Sequence, residues 1–313
     1  MHGFLNLRKP RGITSHDAVD AVRVILGGNA GHGGTLDPIA EGVLPMGLGH
    51  ATRFLGWLRH DKEYEALMRL GVTSDTLDVT GTLTGPGPVD STPDQVRAAG
   101  ATLVGEVNLP VPAYSAVHVG GKRLYESARE AAASGEDPAA PPVRPMRVFS
   151  IEVIEFATPQ VRFRISCAGG TYVRSVIAEW GRLLGTGAVM ERLVRTRAGS
   201  LSLEESVDLE SLRRLAAAGR AAEGLVPAAR ALAHLPEAKL DDAAAARLLH
   251  GQSVPDPRRH AVPASAGSAT AAPENPNVPV RLTIPGGRMI GIGRLDAGTL
   301  FPLRTLPPGE SLP

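Results

Sequence analysis

Residues 31–45 read Gly-His-Gly-Gly-Thr-Leu-Asp-Pro-Ile-Ala-Glu-Gly-Val-Leu-Pro. Three of the first four residues are glycines, and a proline directly follows Asp37. The backbone therefore folds tightly here and presents the Asp37 carboxylate from an irregular segment. Local chemistry leaves two interpretations open: an ordinary Asp-Pro turn in a glycine-rich connector, or a loop that displays a reactive carboxylate.

The complete string resembles the catalytic loop of a known family. His-x-Gly-Thr-Leu-Asp-Pro followed by Gly-Val-Leu-Pro is similar to that loop in the bacterial tRNA pseudouridine synthase B (TruB) family, whose members isomerise uridine 55 in the T loop of tRNA. The resemblance covers about residues 3–205. Its further motifs are Lys-Pro-x-Gly-x-Thr-Ser at 9–15, Lys-x-Tyr at 62–64, Pro-x-Tyr-Ser-Ala at 112–116, Gly-Thr-Tyr-x-Arg at 170–174 and a leucine-arginine segment at 193–199.

The resemblance implies roles for four side chains. Asp37 would be the essential nucleophile, attacking the sugar or uracil C6, or assisting the loss of a proton beside C1′. Arg174 would pair with Asp37 and stabilise its anion. Tyr64 would stack on the target uracil and could mediate removal of the C5 proton, with Leu193 as the opposite apolar wall.

Three further residues are implied in substrate binding. His32 would fill the space that the target base leaves when it is flipped out of the T loop. The alternative is a histidine that is simply hydrogen-bonded within its glycine loop. Thr35 and Tyr172 lie in the same motifs as Asp37 and Arg174, and we assign them to substrate binding.

Length and hydrophobicity bound the class of protein. The chain has 313 residues, of which 43% are hydrophobic, enough for one large domain or two ordinary ones. Its start lacks the apolar core of a signal peptide, and no run approaches the roughly 18 apolar residues of a membrane span. We therefore expect a cytoplasmic protein without a membrane partner.

Charge and cysteine content narrow the choice further. The net charge of +1 argues against nonspecific nucleic-acid binding, but nine basic and four acidic residues lie between positions 144 and 197. This excess suits a groove that faces phosphates, although charges spread over several solvated faces would give the same count. The single Cys167 excludes an internal disulfide and is expected in the core. The nine histidines are scattered, so we expect no metal and no cofactor.

The resemblance and the local patterns together predict an α+β fold. Residues 1–235 would form a pseudouridine synthase catalytic domain with a mixed, mainly antiparallel sheet flanked by helices. Residues 236–313 would form a small β-barrel, a PUA-like RNA-binding domain. The Ala- and Pro-rich stretch at about 260–277 is interpreted as a flexible insertion in it.

Capping signals predict where helices begin. Thr14 or Ser15 would cap a first helix, and Thr92, followed by proline and then glutamine, a second. Thr171 would cap the helix that carries Arg174. The alanine-rich stretch 209–235 is predicted to be helical, and the alternation over residues 62–71 predicts a strand.

Two positions differ from the family motifs, and three alternative functions are compatible with parts of the sequence. His118 stands where the family usually has lysine, and it would hold the same phosphate more weakly or in a pH-dependent way. Val194 interrupts the family's Leu-Arg-Arg, so one basic contact that the family makes is not expected here. Rival readings are an RNA-folding module with incidental catalysis, a hydrolase using Asp37 and Glu41, which would release uracil, and a guide-RNA-dependent relative. We expect a monomer that binds the T arm of tRNA without a guide RNA.

Overall fold

The computed structural model describes residues 1–85, 87–115, 117–119, 121–134, 140–257 and 278–313. The insertion predicted at about 260–277 lies outside these residues. The described strands are β1 Gly3–Lys9, β2 Ala30–His32, β3 Glu41–Leu48, β4 Lys62–Leu70, β5 Thr73–Ser74, β6 Leu83–Thr84, β7 Gly105–Pro110, β8 His118–Val119, β9 Lys122–Arg123, β10 Val143–Ala157, β11 Gln160–Cys167, β12 Ala188–Ala198, β13 Leu201–Ser202, β14 Leu225–Val226, β15 Glu237–Lys239, β16 Val254–Pro255, β17 Val278–Thr283, β18 Met289–Asp296 and β19 Thr299–Thr305. The α-helices are α1 Ser15–Leu26, α2 Pro93–Ala101, α3 Leu124–Ser134, α4 Val173–Leu183, α5 Leu209–Ala217, α6 Ala228–Ala231 and α7 Asp242–Leu249, and 3₁₀ turns span Gly49–Trp57 and Ala221–Gly224.

A large mixed sheet forms the body of the protein. Its strands run in the order β14-β1-β3-β12-β4-β11-β10-β7, with β2 beside β3 and β13 beside β12. Neighbouring strands are antiparallel except β3 and β12, which are parallel. The predicted mixed, mainly antiparallel sheet is confirmed. Strand β4 alternates as expected, with Tyr64, Ala66, Met68 and Leu70 buried on one face.

Helices α2 and α4 cover the face of the sheet that carries Tyr64. Trp180 of α4 is fully buried, meets Phe163 of β11 edge-on at 5.0 Å and donates its Nε1 hydrogen to the Val96 carbonyl of α2 at 3.0 Å. The capping box predicted at Thr92 is present and begins α2. Gly100 lies against the Trp180 ring, because only a residue without a Cβ leaves room for it.

Helix α1 packs beneath the glycine-rich loop. Thr14, one of the two predicted N-cap candidates, caps the helix, and it also forms a capping box with Asp17. The Ser15 hydroxyl accepts from the Leu36 amide at 2.8 Å and donates to the Leu36 carbonyl at 3.1 Å. The Gly12 amide donates to the Pro38 carbonyl at 2.8 Å. The loop is thereby held on both sides of Asp37.

A second, five-stranded sheet ends the chain. Its order is β15-β17-β18-β19-β16, and it forms the PUA-like part of the fold that the sequence predicted. Met289, Ile292 and Leu312 belong to the same buried cluster as Phe54 and Leu232 of the first part of the chain. No helix in the described part of the chain is both long and apolar enough to cross a lipid bilayer.

Two local predictions are wrong. Tyr172, not Thr171, is the N-cap of α4, and the Thr171 hydroxyl instead donates to the Arg147 carbonyl at 3.2 Å. The stretch 209–235 is not one helical passage. Its helix α5 ends at Ala217, and the chain then forms a 3₁₀ turn, the strand β14 against β1, and the short α6. The pairing of β14 with β1 is a tertiary contact that alanine content cannot reveal.

Replacing Gly100 by alanine should destabilise the protein. Glycine-to-alanine changes in helices normally stabilise by up to about 1 kcal/mol. A Cβ at Gly100 would lie against Cζ2 of Trp180 and 2.8 Å from its Cη2, and such overpacking costs about 1–3 kcal/mol. We expect a net loss in the free energy of unfolding measured by urea titration. Gly56→Ala is the matched control, since a Cβ there meets nothing within 4 Å. Equal effects of the two changes would contradict this packing.

Candidate active site

Asp37 and Arg174 meet in a two-point ion pair. Arg174 Nε lies 2.9 Å from Asp37 Oδ2, and Arg174 Nη2 donates to Asp37 Oδ1 at 3.0 Å. The Arg174 side chain is 5% exposed and that of Asp37 is 33% exposed, so the carboxylate faces the open side of the pair. Both guanidinium bonds fix the plane of the carboxylate, which a single ammonium could not do.

The Arg174 guanidinium is itself held from other sides. Its Nη1 donates to the Thr76 carbonyl at 2.9 Å, and its Nη2 donates to the Tyr114 carbonyl at 3.1 Å. Asp78 Oδ2 lies 3.7 Å from Nη1. The buried Asp78 carboxylate accepts from the Thr76 hydroxyl at 2.8 Å, the Thr80 amide at 2.9 Å and the Thr80 hydroxyl. The sequence did not reveal this support for Arg174.

A cavity of about 220 Å³ opens over the Asp37 carboxylate. Six of the seven predicted site residues line it, namely Thr35, Asp37, Tyr64, Tyr172, Arg174 and Leu193. The remaining lining residues are Leu36, Lys62, Ser115, Gly170, Thr171 and Val173. The cavity therefore combines one carboxylate, two aromatic rings and an aliphatic wall, which suits a flat, partly polar ring held beside a reactive oxygen.

His32 is the predicted site residue that does not line the cavity. It ends β2, pairs with Met46 of β3 and is half-buried, and its Nδ1 accepts weakly from the Gly34 amide at 3.4 Å. Burial, with a smaller repulsion from Arg195, lowers the pKa of His32 below its ordinary value. The ring is thus disposed to be neutral near pH 7, which suits stacking rather than charge pairing.

Burial also keeps three other groups beside the pocket protonated. It raises the pKa of Tyr64 and also that of Tyr172, which is less completely buried. It raises the pKa of Cys167 to about 11, so the thiol is inert, as expected for a core cysteine. Among the described residues that line the cavity, Asp37 carries the one carboxylate.

Arg195 holds the glycine-rich loop from below, a role that the sequence did not reveal. It is fully buried, and its Nε donates to the Val43 carbonyl at 2.6 Å. Its Nη2 and Nη1 donate to the carbonyls of Gly34 at 3.0 Å and Thr35 at 3.3 Å. These carbonyls flank the segment that contains Asp37. Gly42, at φ +108°, fits against the Arg195 backbone where a Cβ would collide with its carbonyl oxygen.

Elsewhere in the described residues, His2, His50 and Glu310 lie as close together as metal ligands would, but their contacts do not fit a metal site. Ligand atoms of His2, His50 and Glu310 lie within 4.8 Å of one another. The two imidazole rings stack at 4.3 Å, and the His50 amide donates to His2 Nδ1 at 3.0 Å. Metal-bound histidines normally donate from the second ring nitrogen, whereas His2 Nδ1 accepts. The geometry is that of a stacking contact between His2 and His50, with the Glu310 carboxylate close to both rings.

Comparisons with known proteins match both parts of the chain. Residues 23–173 match the family described as TruB family pseudouridylate synthase (N terminal domain), and residues 236–306 match Pseudouridine synthase II TruB, C-terminal. A tRNA pseudouridine synthase B of Gloeobacter violaceus is 38% identical over 98% of this chain and 99% of its own. One of Aromatoleum aromaticum is 40% identical over 96% of this chain and 92% of its own.

Solved structures share the architecture. A chain in a Cbf5-Nop10-Gar1 complex is 28% identical with a TM-score of 0.72, covering 97% of this chain and 85% of that one. A chain in an H/ACA RNP bound to a substrate RNA containing 2′-deoxyuridine is 26% identical with a TM-score of 0.73, covering 99% and 87%. The fold thus recurs in chains of both complexes, the second of which is bound to a substrate RNA.

Arg195→Met should destabilise the protein far more than Arg192→Met. The first change leaves the carbonyls of Val43, Gly34 and Thr35 without their donor, and an unsatisfied buried acceptor costs about 1–3 kcal/mol. Arg192 is 59% exposed in a surface ion pair with Glu41, which contributes about 0–1 kcal/mol. Urea unfolding of both variants measures the difference. Equal losses would show that Arg195 does not support the loop.

Proposed function

Because the chain belongs to the TruB family of tRNA pseudouridine synthases, we propose that its substrate is the uridine at position 55 in the T loop of tRNA. The enzyme is an isomerase that converts uridine to pseudouridine in tRNA. The observation that carries the site assignment is the ion pair between the buried Arg174 and the half-buried Asp37, in a pocket that Tyr64 and Leu193 also line.

The reaction makes limited chemical demands. The bond from N1 to C1′ breaks, the uracil turns, and C5 bonds to C1′. The C5 proton leaves and N1 takes up a proton, so the product is an isomer of the substrate with no change of oxidation state and no net hydrolysis. The protein has to supply a nucleophile, hold the detached base and accept a proton. These tasks require fixed geometry more than extra reagents.

Asp37 is the proposed nucleophile. Its outward-facing carboxylate is supported by two bonds from Arg174, so its oxygens do not need to reorganise as the reaction begins. Attack at C1′, attack at uracil C6 and assisted loss of a proton beside C1′ are three routes compatible with this position.

Tyr64 and Leu193 are the proposed walls on either side of the uracil. Tyr64 would stack on the base, and its phenol would mediate proton removal from C5. Tyr172 and Thr35, which also line the cavity, would bind the flipped nucleotide. A flipped base has to be held long enough to rotate, and two apolar walls allow rotation in the plane of the ring.

His32 is proposed to enter the RNA rather than the pocket. Flipping a base costs a few kcal/mol because its stacking is lost. A neutral imidazole at the end of β2, beside the loop that carries Asp37, is suited to fill the vacated position. Its place outside the cavity lining is consistent with this division of tasks.

The partner is proposed to be the T arm of tRNA, bound by one copy of the chain without a guide RNA, in the cytoplasm. Relatives that match almost the full length of this chain are named tRNA pseudouridine synthase B, whereas the H/ACA particles contain further components. Residues 1–235 would carry catalysis, and residues 236–313 would form the PUA-like domain that contacts RNA outside the pocket.

Tritium release tests the reaction, its site and its nucleophile together. Wild-type enzyme should release tritium from tRNA that contains C5-tritiated uridine, and carbodiimide-dependent primer stops should map one product in the T loop. Asp37→Asn should abolish release but retain tRNA binding, because the change removes charge and keeps size. Release from the variant would reject Asp37 as the nucleophile. No release by the wild type despite tight binding would favour an RNA-folding module instead.

A further inference from the structure

Lys62 is a half-buried cation that lines the catalytic cavity. It is the first residue of β4 and lies two residues before Tyr64, so the two side chains leave the same face of the strand. A Cβ built on Gly34 would be 3.5 Å from Lys62 Nζ, which places the ammonium beside the loop that carries Asp37. The cation therefore lies between the uracil walls and the nucleophile's loop.

No carboxylate neutralises Lys62 among the described residues, and its ammonium makes no hydrogen bond there. The acidic residues next to it in sequence are engaged elsewhere. Asp61 pairs with Arg59 at 2.6 Å, and Glu63 accepts from the Thr196 hydroxyl at 2.9 Å. Asp37 is already bound through both oxygens by Arg174.

The other buried cations near the pocket are satisfied, which sets Lys62 apart. Lys9 donates to the carbonyls of Pro10 and Ile13 at 2.9 and 2.7 Å, and Arg195 donates to three loop carbonyls. Burial and, to a smaller extent, repulsion from Arg195 both lower the pKa of Lys62. A desolvated ammonium without a partner is costly, so its position indicates an anion that arrives with the substrate.

We propose that Lys62 binds a phosphodiester next to the target uridine and thereby fixes the ribose over Asp37. This proposal rests on the proposed function. A nucleotide in RNA carries a phosphodiester on each side, and these are the fixed negative charges that a flipped uridine brings toward the pocket. Uracil itself is neutral before its glycosidic bond breaks. The backbone charge, rather than the base, therefore complements the unpaired ammonium.

The test compares enzyme variants with T-arm stem-loops that carry one neutral methylphosphonate. The linkage 5′ or 3′ of the target uridine is neutralised in turn, and a stem linkage serves as the RNA control. Affinities are measured in the Asp37→Asn background so that the RNA is not converted. Lys122→Met is the protein control, because Lys122 is exposed and pairs with Glu130 at 3.0 Å.

We expect Lys62→Met to weaken binding of the all-phosphate RNA about tenfold and to reduce the slope of log affinity against log salt by about 0.7. Neutralising one of the two adjacent linkages should weaken binding to the Lys62 enzyme similarly but should not weaken Lys62→Met further. Lys62→Arg should restore the salt slope, which also shows that position 62 tolerates change. Lys122→Met should leave this linkage effect unchanged.

Two results would overturn the proposal while the proposed function stands. One is that the losses in RNA affinity caused by Lys62→Met and by each neutral linkage are additive. This result counts when the wild-type enzyme releases tritium from the same stem-loops. The other is a slower single-turnover rate of Lys62→Met in the Asp37 enzyme with unchanged affinity and salt slope, which would assign the ammonium to the departing uracil. If the wild type releases no tritium from any stem-loop, both proposals fall together.

Discussion

The ion pair between Arg174 and Asp37 is the contact on which the site depends. It joins residues 137 positions apart, one in the loop between β2 and β3 and the other in the first turn of α4. A buried guanidinium is stable only where each of its donors finds an acceptor. Asp37, Thr76 and Tyr114 supply these acceptors from three different segments, so the pair can form only when the whole body of the protein is folded.

The loop that carries Asp37 has no regular structure, and hydrogen bonds from distant side chains hold it instead. Arg195 binds its carbonyls from below, and Ser15 binds Leu36 from the start of α1. Leu36 itself is buried in the core that also contains Tyr64 and Leu193. An isomerase that releases and recaptures a base gains from such preorganisation, because misplacement of a reacting group is costly in rate. Of the two cations that line the cavity in the described part of the chain, Arg174 is held by this network and the Lys62 ammonium makes no hydrogen bond, which is the basis for the phosphodiester contact proposed for it.

Features set by neighbouring residues could be predicted from the sequence. The capping boxes at Thr14 and Thr92 and the alternation along β4 depend on residues a few positions apart, and the structure contains all three. The family resemblance also named Asp37, Arg174, Tyr64 and Leu193 as site residues, and all four line one cavity. By contrast, the roles of Asp78 and Arg195 were missed because the groups that they support are reached only by tertiary contacts: Arg174 for Asp78, and the carbonyls of Gly34 and Thr35 for Arg195. The Thr171 cap failed for the same reason, since that hydroxyl bonds to Arg147 of a distant strand.

The most direct test of this account is the single-turnover rate of Arg174→Lys on saturating T-arm RNA. Lysine keeps the positive charge but cannot bind both Asp37 oxygens and the carbonyls of Thr76 and Tyr114 at once. We expect a rate lower by about 100-fold, with RNA affinity retained and a folded protein by circular dichroism. A variant that turns over at the wild-type rate would show that charge near Asp37 suffices, and would contradict the claim that the two-point geometry organises the site.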